Sequence, residues 1–131
     1  MKKRIMSMFI IFAMAARLLP TVAVPVSANL SGNGWTLANG TLTIENDIGM
    51  EDWAINISPQ PNEPANKNKE IRDSVTAIVI EYGVTSIHDS AFIFLLNLTS
   101  VIIPDSVITI GFWSFTGCTK LTSVIIVIDT V

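Results

Sequence analysis

Residues 98–110 read Leu-Thr-Ser-Val-Ile-Ile-Pro-Asp-Ser-Val-Ile-Thr-Ile, and the same pattern precedes and follows them. Residues 75–87 read Val-Thr-Ala-Ile-Val-Ile-Glu-Tyr-Gly-Val-Thr-Ser-Ile, and residues 121–126 read Leu-Thr-Ser-Val-Ile-Ile. The copies begin at Val75, Leu98 and Leu121, so their spacing is constant. A fixed period of roughly 20 to 50 residues is typical of proteins built from stacked repeats. Such proteins usually bind partners along a surface, and few are enzymes.

Each repeat contains two extended segments and a turn. β-branched residues dominate the first segment, and Pro104 ends it in the complete copy. The second segment, residues 106–110, is shorter, and the turn at residues 112–118 has room for one helical or 3-10 turn at most. A repeat of this size covers its apolar side only by stacking on its neighbours. We therefore expect columns of like side chains, formed by Ile78, Val101 and Val124; Ile80, Ile103 and Ile126; Ile87 and Ile110; and Phe92 and Phe115.

Residues 1–28 have the three parts of an export signal. Residues 2–4 are basic, residues 5–16 are almost wholly apolar, and Val-Ser-Ala at residues 26–28 gives the small-x-small pattern that precedes cleavage. Arg17 interrupts the apolar run before it reaches the roughly 20 residues of a membrane span. We predict a signal peptide at residues 1–28, cleaved after Ala28, and hence a secreted or cell-surface protein. The alternative is an uncleaved anchor.

The charge of the mature chain limits its partners. Four of the eight basic residues lie in the predicted signal and all eleven acidic residues lie after it, so the mature chain carries a net charge of −7. Nucleic acids and anionic membrane surfaces are bound by clustered Lys and Arg. We therefore expect no nucleic-acid partner.

Three segments follow the signal. Residues 29–57 are predicted to form an N-terminal β-hairpin cap, because apolar and polar residues alternate around Asn39-Gly40, the pair favoured in type I′ turns. The last part of this segment, Asp47 to Ile57, could fold back as a lid. Residues 58–71 contain three prolines and almost no apolar side chain, which predicts a mobile loop. Residues 72–131 hold about 2.3 copies of the 23-residue repeat, the last one incomplete.

The residues that could support catalysis are few. His88 is the only histidine, so a zinc site built from several His and Cys residues is excluded. His88, Asp89 and Ser90 are the residue types of a hydrolase triad, but three consecutive side chains diverge and cannot align. We interpret His88 as an exposed turn residue. The sequence therefore predicts no catalytic residue, no metal, no cofactor and no small-molecule substrate.

Two other features have structural interpretations. Four acidic residues lie beside the predicted hairpin without the regular spacing of a calcium loop, and we interpret them as a solvated loop rather than a metal site. They are Glu45, Asp47, Glu51 and Asp52. Cys118, the only cysteine, aligns with Leu95, which favours a core position; the alternative is a disulfide between two molecules.

The repeat resembles the BspA-type leucine-rich repeats of surface proteins from bacteria and some protists. That repeat runs approximately Leu-Thr-Ser-Val-x-Ile-Pro-x-Ser-Val-Thr-x-Ile-Gly-x-x-Ala-Phe-x-x-Cys. The complete copy matches it at Leu98, Thr99, Ser100, Val101, Ile103, Pro104, Ser106, Val107, Ile110, Gly111, Phe115, Gly117 and Cys118. It departs from the pattern at Ser114, where Ala is usual, and the preceding copy has Phe94-Leu95 in place of Gly-Cys. The resemblance implies a β-rich fold, a parallel β solenoid of leucine-rich-repeat type with short helical or 3-10 turns.

One face of the predicted sheet is a candidate binding surface. If Val101 and Ile103 point inward, alternate residues of the same strands point outward. The outward set is Ala77, Val79, Ser100, Ile102, Ser123 and Ile125. We interpret this aliphatic stripe as a site for protein partners. The alternative is that its β-branched residues only stabilise neighbouring strands.

Two functions fit these observations. The first is an exported, non-catalytic repeat protein for protein–protein recognition or adhesion, whose partner is an extracellular or host protein surface. The second is an accessory repeat domain of a secreted enzyme, such as a wall hydrolase or peptidase, whose catalytic domain is absent. The array has no polar cap after its last copy, so we interpret the chain as a truncated member or fragment and expect self-association through the uncapped C-terminal repeat.

Overall fold

The computed structural model describes residues 29–130; the predicted signal peptide lies outside the described residues. The strands are Leu30–Ser31 (β1), Trp35–Ala38 (β2), Thr41–Ile44 (β3), Ala77–Ile80 (β4), Ser86–Ile87 (β5), Ser100–Pro104 (β6), Thr109–Ile110 (β7) and Ser123–Val127 (β8). The helices are Asp47–Asn56 (α1) and Lys69–Ser74 (α2). The main sheet has the order β1-β2-β3-β4-β6-β8, and β5 pairs with β7 in a second, two-stranded sheet.

The repeats stack in register, as their period predicts. Strands β4, β6 and β8 are parallel neighbours, and Ile78 pairs with Val101, which pairs in turn with Val124. Strand β5 pairs with β7 through Ile87 and Ile110. Equivalent residues of successive coils therefore lie side by side, and the predicted columns are confirmed where these pairs occur.

The turns of the coils are joined by main-chain hydrogen bonds rather than by regular helix. The N–H groups of Ser90, Phe92 and Phe94 donate to the carbonyls of the next coil, at distances of 2.9, 2.9 and 2.7 Å. The acceptors are Phe112, Ser114 and Thr116. The rings of Phe92 and Phe115 lie 5.4 Å apart between their centroids. Residues 112–117 form turns and no regular helix, in agreement with the expectation of one helical turn at most.

One departure from the repeat pattern occurs at a strained backbone position. Phe94 has φ +57° and its equivalent Gly117 has φ +78°. This left-handed conformation disfavours residues with a Cβ, so glycine is the better residue there. A Cβ added at Gly117 would lie 2.2 Å from Cδ1 of Phe94. The Phe94 ring therefore occupies space that only glycine leaves free in the next coil.

The N-terminal hairpin adds another rung to the sheet of the repeats. Strands β2 and β3 are antiparallel around Asn39-Gly40, where both residues have positive φ. Strand β3 then pairs in parallel with β4, so Leu42 lies beside Ile78. Leu42 is fully buried, because side chains of the hairpin and of the first repeat cover each other.

Helix α1 occupies the segment in which an acidic loop was expected. Asn46 caps it by accepting a hydrogen bond from the Gly49 N–H at 3.0 Å. Met50 and Trp53 point into the core and are fully buried. The acidic residues from Asp47 to Asp52 thus lie on a helix, where the Asp52 carboxylate accepts a 2.6 Å hydrogen bond from the Trp35 indole N–H. The loop interpretation is wrong because buried apolar side chains at helical spacing hold this segment in place.

The predicted proline-rich loop ends earlier than expected. Helix α2 begins at Lys69 and contains the buried Arg72. The Arg72 guanidinium donates to the carbonyl of Ala65 at 3.1 Å and to that of Lys67. These hydrogen bonds tie the loop to the helix and satisfy a cation that would be costly to bury alone.

A carboxylate connects helix α1 to the first repeat. Asp47 accepts hydrogen bonds from the Thr85 backbone N–H at 2.8 Å and the Thr85 hydroxyl at 2.7 Å. These bonds, the backbone one foremost, lower the pKa of Asp47 below its ordinary value of 3.8. A lowered folded-state pKa stabilises the fold above the unfolded-state pKa, and this contribution disappears as the pH falls through the folded-state pKa.

Replacing Asp47 with Asn should therefore change the pH dependence of stability. We expect Asp47→Asn to have a lower free energy of unfolding than the parent at pH 6, with the difference shrinking below about pH 3.8. Urea unfolding followed by circular dichroism at both pH values measures this. Glu45→Gln removes a neighbouring charge and serves as the control. Parallel pH profiles for Asp47→Asn and the parent would contradict the role given to Asp47.

Candidate functional site

The six residues predicted to face outward lie together on one face of the main sheet. Val79 pairs with Ile102, which pairs with Ile125, so these three form one row across the strands. A second row is formed in the same way by Ala77, Ser100 and Ser123. We call these six residues the outer face.

Exposure increases along the outer face toward the last strand. Val79 and Ile102 are half-buried, whereas Ile125 is 49% exposed. Strand β3 continues the rows with threonines, since Thr43 pairs with Val79 and Thr41 with Ala77. One row of the outer face is thus aliphatic, and the neighbouring row carries small or hydroxyl side chains. A large partner can approach such a surface closely.

An open groove lies at the carboxyl ends of the parallel strands, next to the outer face. Its volume is about 440 Å³, and Ile102 contributes to both surfaces. The other lining residues are Ile80, Tyr82, Pro104, Asp105, Val127, Ile128, Asp129 and Thr130. Tyr82 is 71% exposed and presents an aromatic ring beside the aliphatic row. Exposed aromatic residues are enriched in protein–protein interfaces.

Two acidic residues give the groove its polarity. Asp105 follows β6 and Asp129 follows β8, and the Asp129 backbone N–H donates to an Asp105 carboxylate oxygen at 2.9 Å. The groove therefore combines an aromatic ring, aliphatic side chains and carboxylates. This combination suits a partner that presents apolar and basic side chains together.

Sequence reasoning missed Tyr82 and Asp105. They occupy equivalent positions in successive repeats, just after the first strand of each coil. Because neither belongs to a strand, the alternation that identified the outer face did not include them. Their shared position at the carboxyl ends of parallel strands is the signal that could have placed them beside it.

Comparison with protein families identifies the repeats. The family model described as "BspA type Leucine rich repeat region (6 copies)" matches residues 70–130, just under half of the chain. Residues 70–130 are thus similar to a BspA-type leucine-rich repeat region, and we call them the BspA-type repeats. No curated protein and no solved structure matches the chain significantly. Repeats of this family are typical of protein–protein recognition and adhesion, which agrees with the resemblance of the sequence.

Within the BspA-type repeats, the Asp89 side chain and the Ser90 main chain join neighbouring coils. The Asp89 carboxylate accepts a 2.7 Å hydrogen bond from the Phe112 N–H, and Ser90 donates its own N–H to the Phe112 carbonyl. His88 is half-buried rather than exposed as expected, and it lines an open groove of about 580 Å³ between α1 and the second sheet.

Cys118 of the BspA-type repeats is only partly buried, although a core position was expected. Its equivalent Leu95 is 1% exposed because the next coil covers it, whereas Cys118 lies in the last described coil. The thiol donates to the Phe92 carbonyl at 3.1 Å, and burial raises its pKa. A raised pKa keeps the thiol protonated and unreactive near neutral pH.

Neither a cluster of metal-ligating side chains nor a membrane-spanning helix occurs in the part of the chain that the structure describes. Among residues 29–130, no group of three or more His, Cys, Asp and Glu side chains is arranged to hold a metal ion. No helix in this part of the chain has the length and apolar character needed to cross a membrane.

Proposed function

We propose that this protein is exported and recognises another protein through the outer face of its BspA-type repeats, without catalysing a reaction. The observation that carries the proposal is the register of Val79, Ile102 and Ile125 beside the groove at Tyr82. Rows of like residues on successive coils give a repeat protein a continuous contact surface. The partner is an extracellular or host protein that presents apolar side chains flanked by basic ones.

The packing of the N-terminal segment is consistent with a scaffold for protein recognition. Leu37, Leu42 and Met50 are almost fully buried between the hairpin, α1 and the first repeat. We assign this segment the role of the N-terminal cap, because stacked repeats need their first apolar layer covered to remain soluble. The basic, apolar and small-residue parts of residues 1–28 support export.

The proposal that the protein catalyses no reaction is supported by the structural hydrogen bonds that its polar side chains form. Asp47 bonds Thr85, Asp89 bonds the Phe112 backbone, and Cys118 bonds the Phe92 carbonyl. Each of these groups therefore joins two parts of the fold. A general acid or base must instead reach a substrate in a site that tunes its pKa.

Changing Ile102 to Lys tests the binding role of the outer face. Lysine can keep its charged end in water at this half-buried position, but it places a cation in the middle of the aliphatic row. We expect binding to fall at least about tenfold, since central interface residues often contribute more than about 1 kcal/mol. The measurement is capture of serum proteins by the immobilised chain, quantified by mass spectrometry, with the affinity for each captured protein then measured by surface plasmon resonance.

Ile48→Lys is the matched control for this experiment. Ile48 is 58% exposed on α1, away from the outer face, so the substitution makes the same chemical change elsewhere. Loss of the same captured proteins by Ile102→Lys but not by Ile48→Lys supports the proposal. Equal binding by both variants, with circular dichroism showing both folded, would remove the outer face from the proposed function.

A further inference from the structure

An open groove lies between the proline-rich segment and the turn of the first repeat, and the proposed function does not use it. Its volume is about 420 Å³. Pro59, Gln60 and Pro61 line it from one segment, and Asp89, Ile93 and Phe94 line it from the other. None of these residues belongs to the outer face or lines the groove beside that face. We call this separate surface the proline groove.

Phe94 occupies a backbone conformation that lowers the stability of the fold. Its φ is +57°, in the left-handed region that disfavours residues with a Cβ, and the equivalent residue of the next repeat is Gly117. The Phe94 side chain is also 51% exposed, so full burial does not offset this strain. Backbone outliers of this kind cluster at binding and catalytic sites. A strained, half-exposed aromatic ring that lines a groove therefore indicates a contact residue rather than a core residue.

The apolar walls of the proline groove are held in place. Pro59 and Pro61 have their backbone φ fixed by their rings. The Ser58 hydroxyl, next to Pro59, donates a hydrogen bond to the Ala91 carbonyl. On the other side, the Phe94 N–H donates to a carbonyl of the next coil at 2.7 Å. The groove is thus formed before any ligand enters it, which lowers the entropic cost of binding.

The polar lining of the proline groove consists of hydrogen-bond acceptors. The Asp89 carboxylate accepts the Phe112 N–H through Oδ1, and Asp89 forms no salt bridge with any residue from 29 to 130. The Gln60 amide nitrogen donates to the Ala54 carbonyl at 2.7 Å, which leaves the amide oxygen as an acceptor. No Lys, Arg or His lines the groove. It therefore presents a carboxylate oxygen and an amide oxygen to a ligand that carries donors.

The charge of the neighbouring sequence favours a cationic ligand. Residues 29–66 contain five acidic side chains and no Lys, Arg or His. The first two lysines that follow are already paired, Lys67 with Glu63 and Lys69 with Asp73. Complementary charge attracts a positively charged ligand to this part of the molecule and disfavours an anionic one.

We propose that the proline groove binds an arginine side chain presented by another protein. The methylene groups of the arginine lie against the prolines, and the guanidinium stacks on the exposed part of the Phe94 ring. Its N–H groups donate to the Asp89 and Gln60 oxygens. A guanidinium is planar, so it combines stacking on an aromatic face with directional hydrogen bonds to a carboxylate. Lysine has no planar face and concentrates its charge on one nitrogen, so it fits this lining less well.

Other ligand classes leave part of the groove unsatisfied. An anion would face the Asp89 carboxylate, and an apolar side chain would cover the Asp89 and Gln60 oxygens without offering a donor. A neutral polar side chain would gain nothing from the acidic surroundings. Because the proline groove and the outer face share no residue, binding at one can fail while binding at the other persists.

NMR titration with short peptides tests this proposal. The probe is acetyl-Gly-Gly-Arg-Gly-Gly-amide, used at up to about 10 mM because a single side chain binds weakly. The matched peptide has citrulline in place of arginine, which keeps the shape and removes the charge. We expect the arginine peptide to shift the amide signals of Gln60, Ile93 and Phe94 and to bind at least about tenfold more tightly than the citrulline peptide. Equal binding of the two peptides, no binding of the arginine peptide, or shifts confined to Tyr82 and Asp105 would overturn the proposal.

Two variants separate binding from folding. Phe94→Gly removes the ring at a position where glycine is the favoured residue, so the variant should remain folded while its affinity for the arginine peptide falls at least about fivefold. Asp89→Asn removes the charge but keeps an oxygen for the Phe112 N–H, and a similar loss is expected. Tyr82→Ala is the control, since it removes an exposed aromatic residue outside the proline groove. Unchanged affinity in either variant, with circular dichroism showing it folded, or an equal loss in Tyr82→Ala, would contradict the proposed site.

Discussion

Replacing Val101 with Lys should unfold the protein or destabilise it by about 3–5 kcal/mol, because an unpaired ammonium would enter the apolar column. Val101 is 0% exposed and lies between Ile78 and Val124 in the sheet. Strands on both sides prevent the lysine from reaching water. The free energy of unfolding, measured by urea titration at low protein concentration, gives the size of the effect.

The equivalent change in the next repeat provides the control. Val124 has the same residue type and the same inward direction, but it is 55% exposed. Val124→Lys should therefore change the free energy of unfolding of the monomer by less than about 1 kcal/mol. Similar losses for Val101→Lys and Val124→Lys would mean that position within the stack does not determine burial, and the stacked arrangement would be wrong.

Replacing Trp53 with Ala should cost about 3–5 kcal/mol, the range for large-to-small changes of buried aromatic residues. Trp53 is fully buried, its indole N–H donates to the Ala91 carbonyl at 2.9 Å, and its ring meets that of Trp35 edge-on at 5.1 Å between centroids. The substitution removes both contacts and leaves the Ala91 carbonyl with one fewer donor. It therefore weakens the packing of α1 on the first repeat.

Trp113→Ala is the control for this prediction. Trp113 is 71% exposed, so its replacement should change the free energy of unfolding by no more than about 1 kcal/mol. Chemical denaturation followed by circular dichroism compares the two variants. If Trp53→Ala retained the stability of the parent, α1 would not be packed on the repeats as described.

The fold of the repeats could be predicted from the sequence because the spacing of the repeats is constant. Ile78, Val101 and Val124 recur at one spacing, and stacking is the arrangement that buries all of them. The alternation of β-branched residues then separated inward from outward side chains, which placed the outer face from the sequence alone. The register of the parallel strands follows from the repeat period, and the side of the sheet on which each side chain lies follows from the alternation along the strands.

The structure of the segments outside the repeats was harder to predict from the sequence. Helix α1 has apolar residues at helical spacing, since Met50, Trp53 and Ala54 are all buried, but it is short and many of its other residues are polar or acidic. Its stability comes from tertiary packing, including Gly49 against Gly34, where an added Cβ would lie 1.7 Å from the Gly34 carbonyl oxygen. No local propensity reveals such a contact.

The candidate site was likewise found only in part. Alternation identified Val79, Ile102 and Ile125, because strand periodicity determines the face on which they lie. The groove with Tyr82 and Asp105 depends on how chain segments leave the strands, and turns have no simple periodicity. The strand pattern alone does not determine the exposure of Val124 and Ile126, since identical residues are buried or exposed according to whether another coil lies next to them.

The most direct test of the stacked arrangement is a methyl NOE spectrum of residues 29–131 with labelled Ile and Val side chains. Neighbouring parallel strands lie about 4.8 Å apart, so Ile78 should show strong NOEs to Val101 and Val101 to Val124. Ile78 and Val124 are separated by two strand spacings, or about 10 Å, and should show none. Absence of the first two contacts, or a strong contact between Ile78 and Val124, would contradict the stacking of successive 23-residue coils in register.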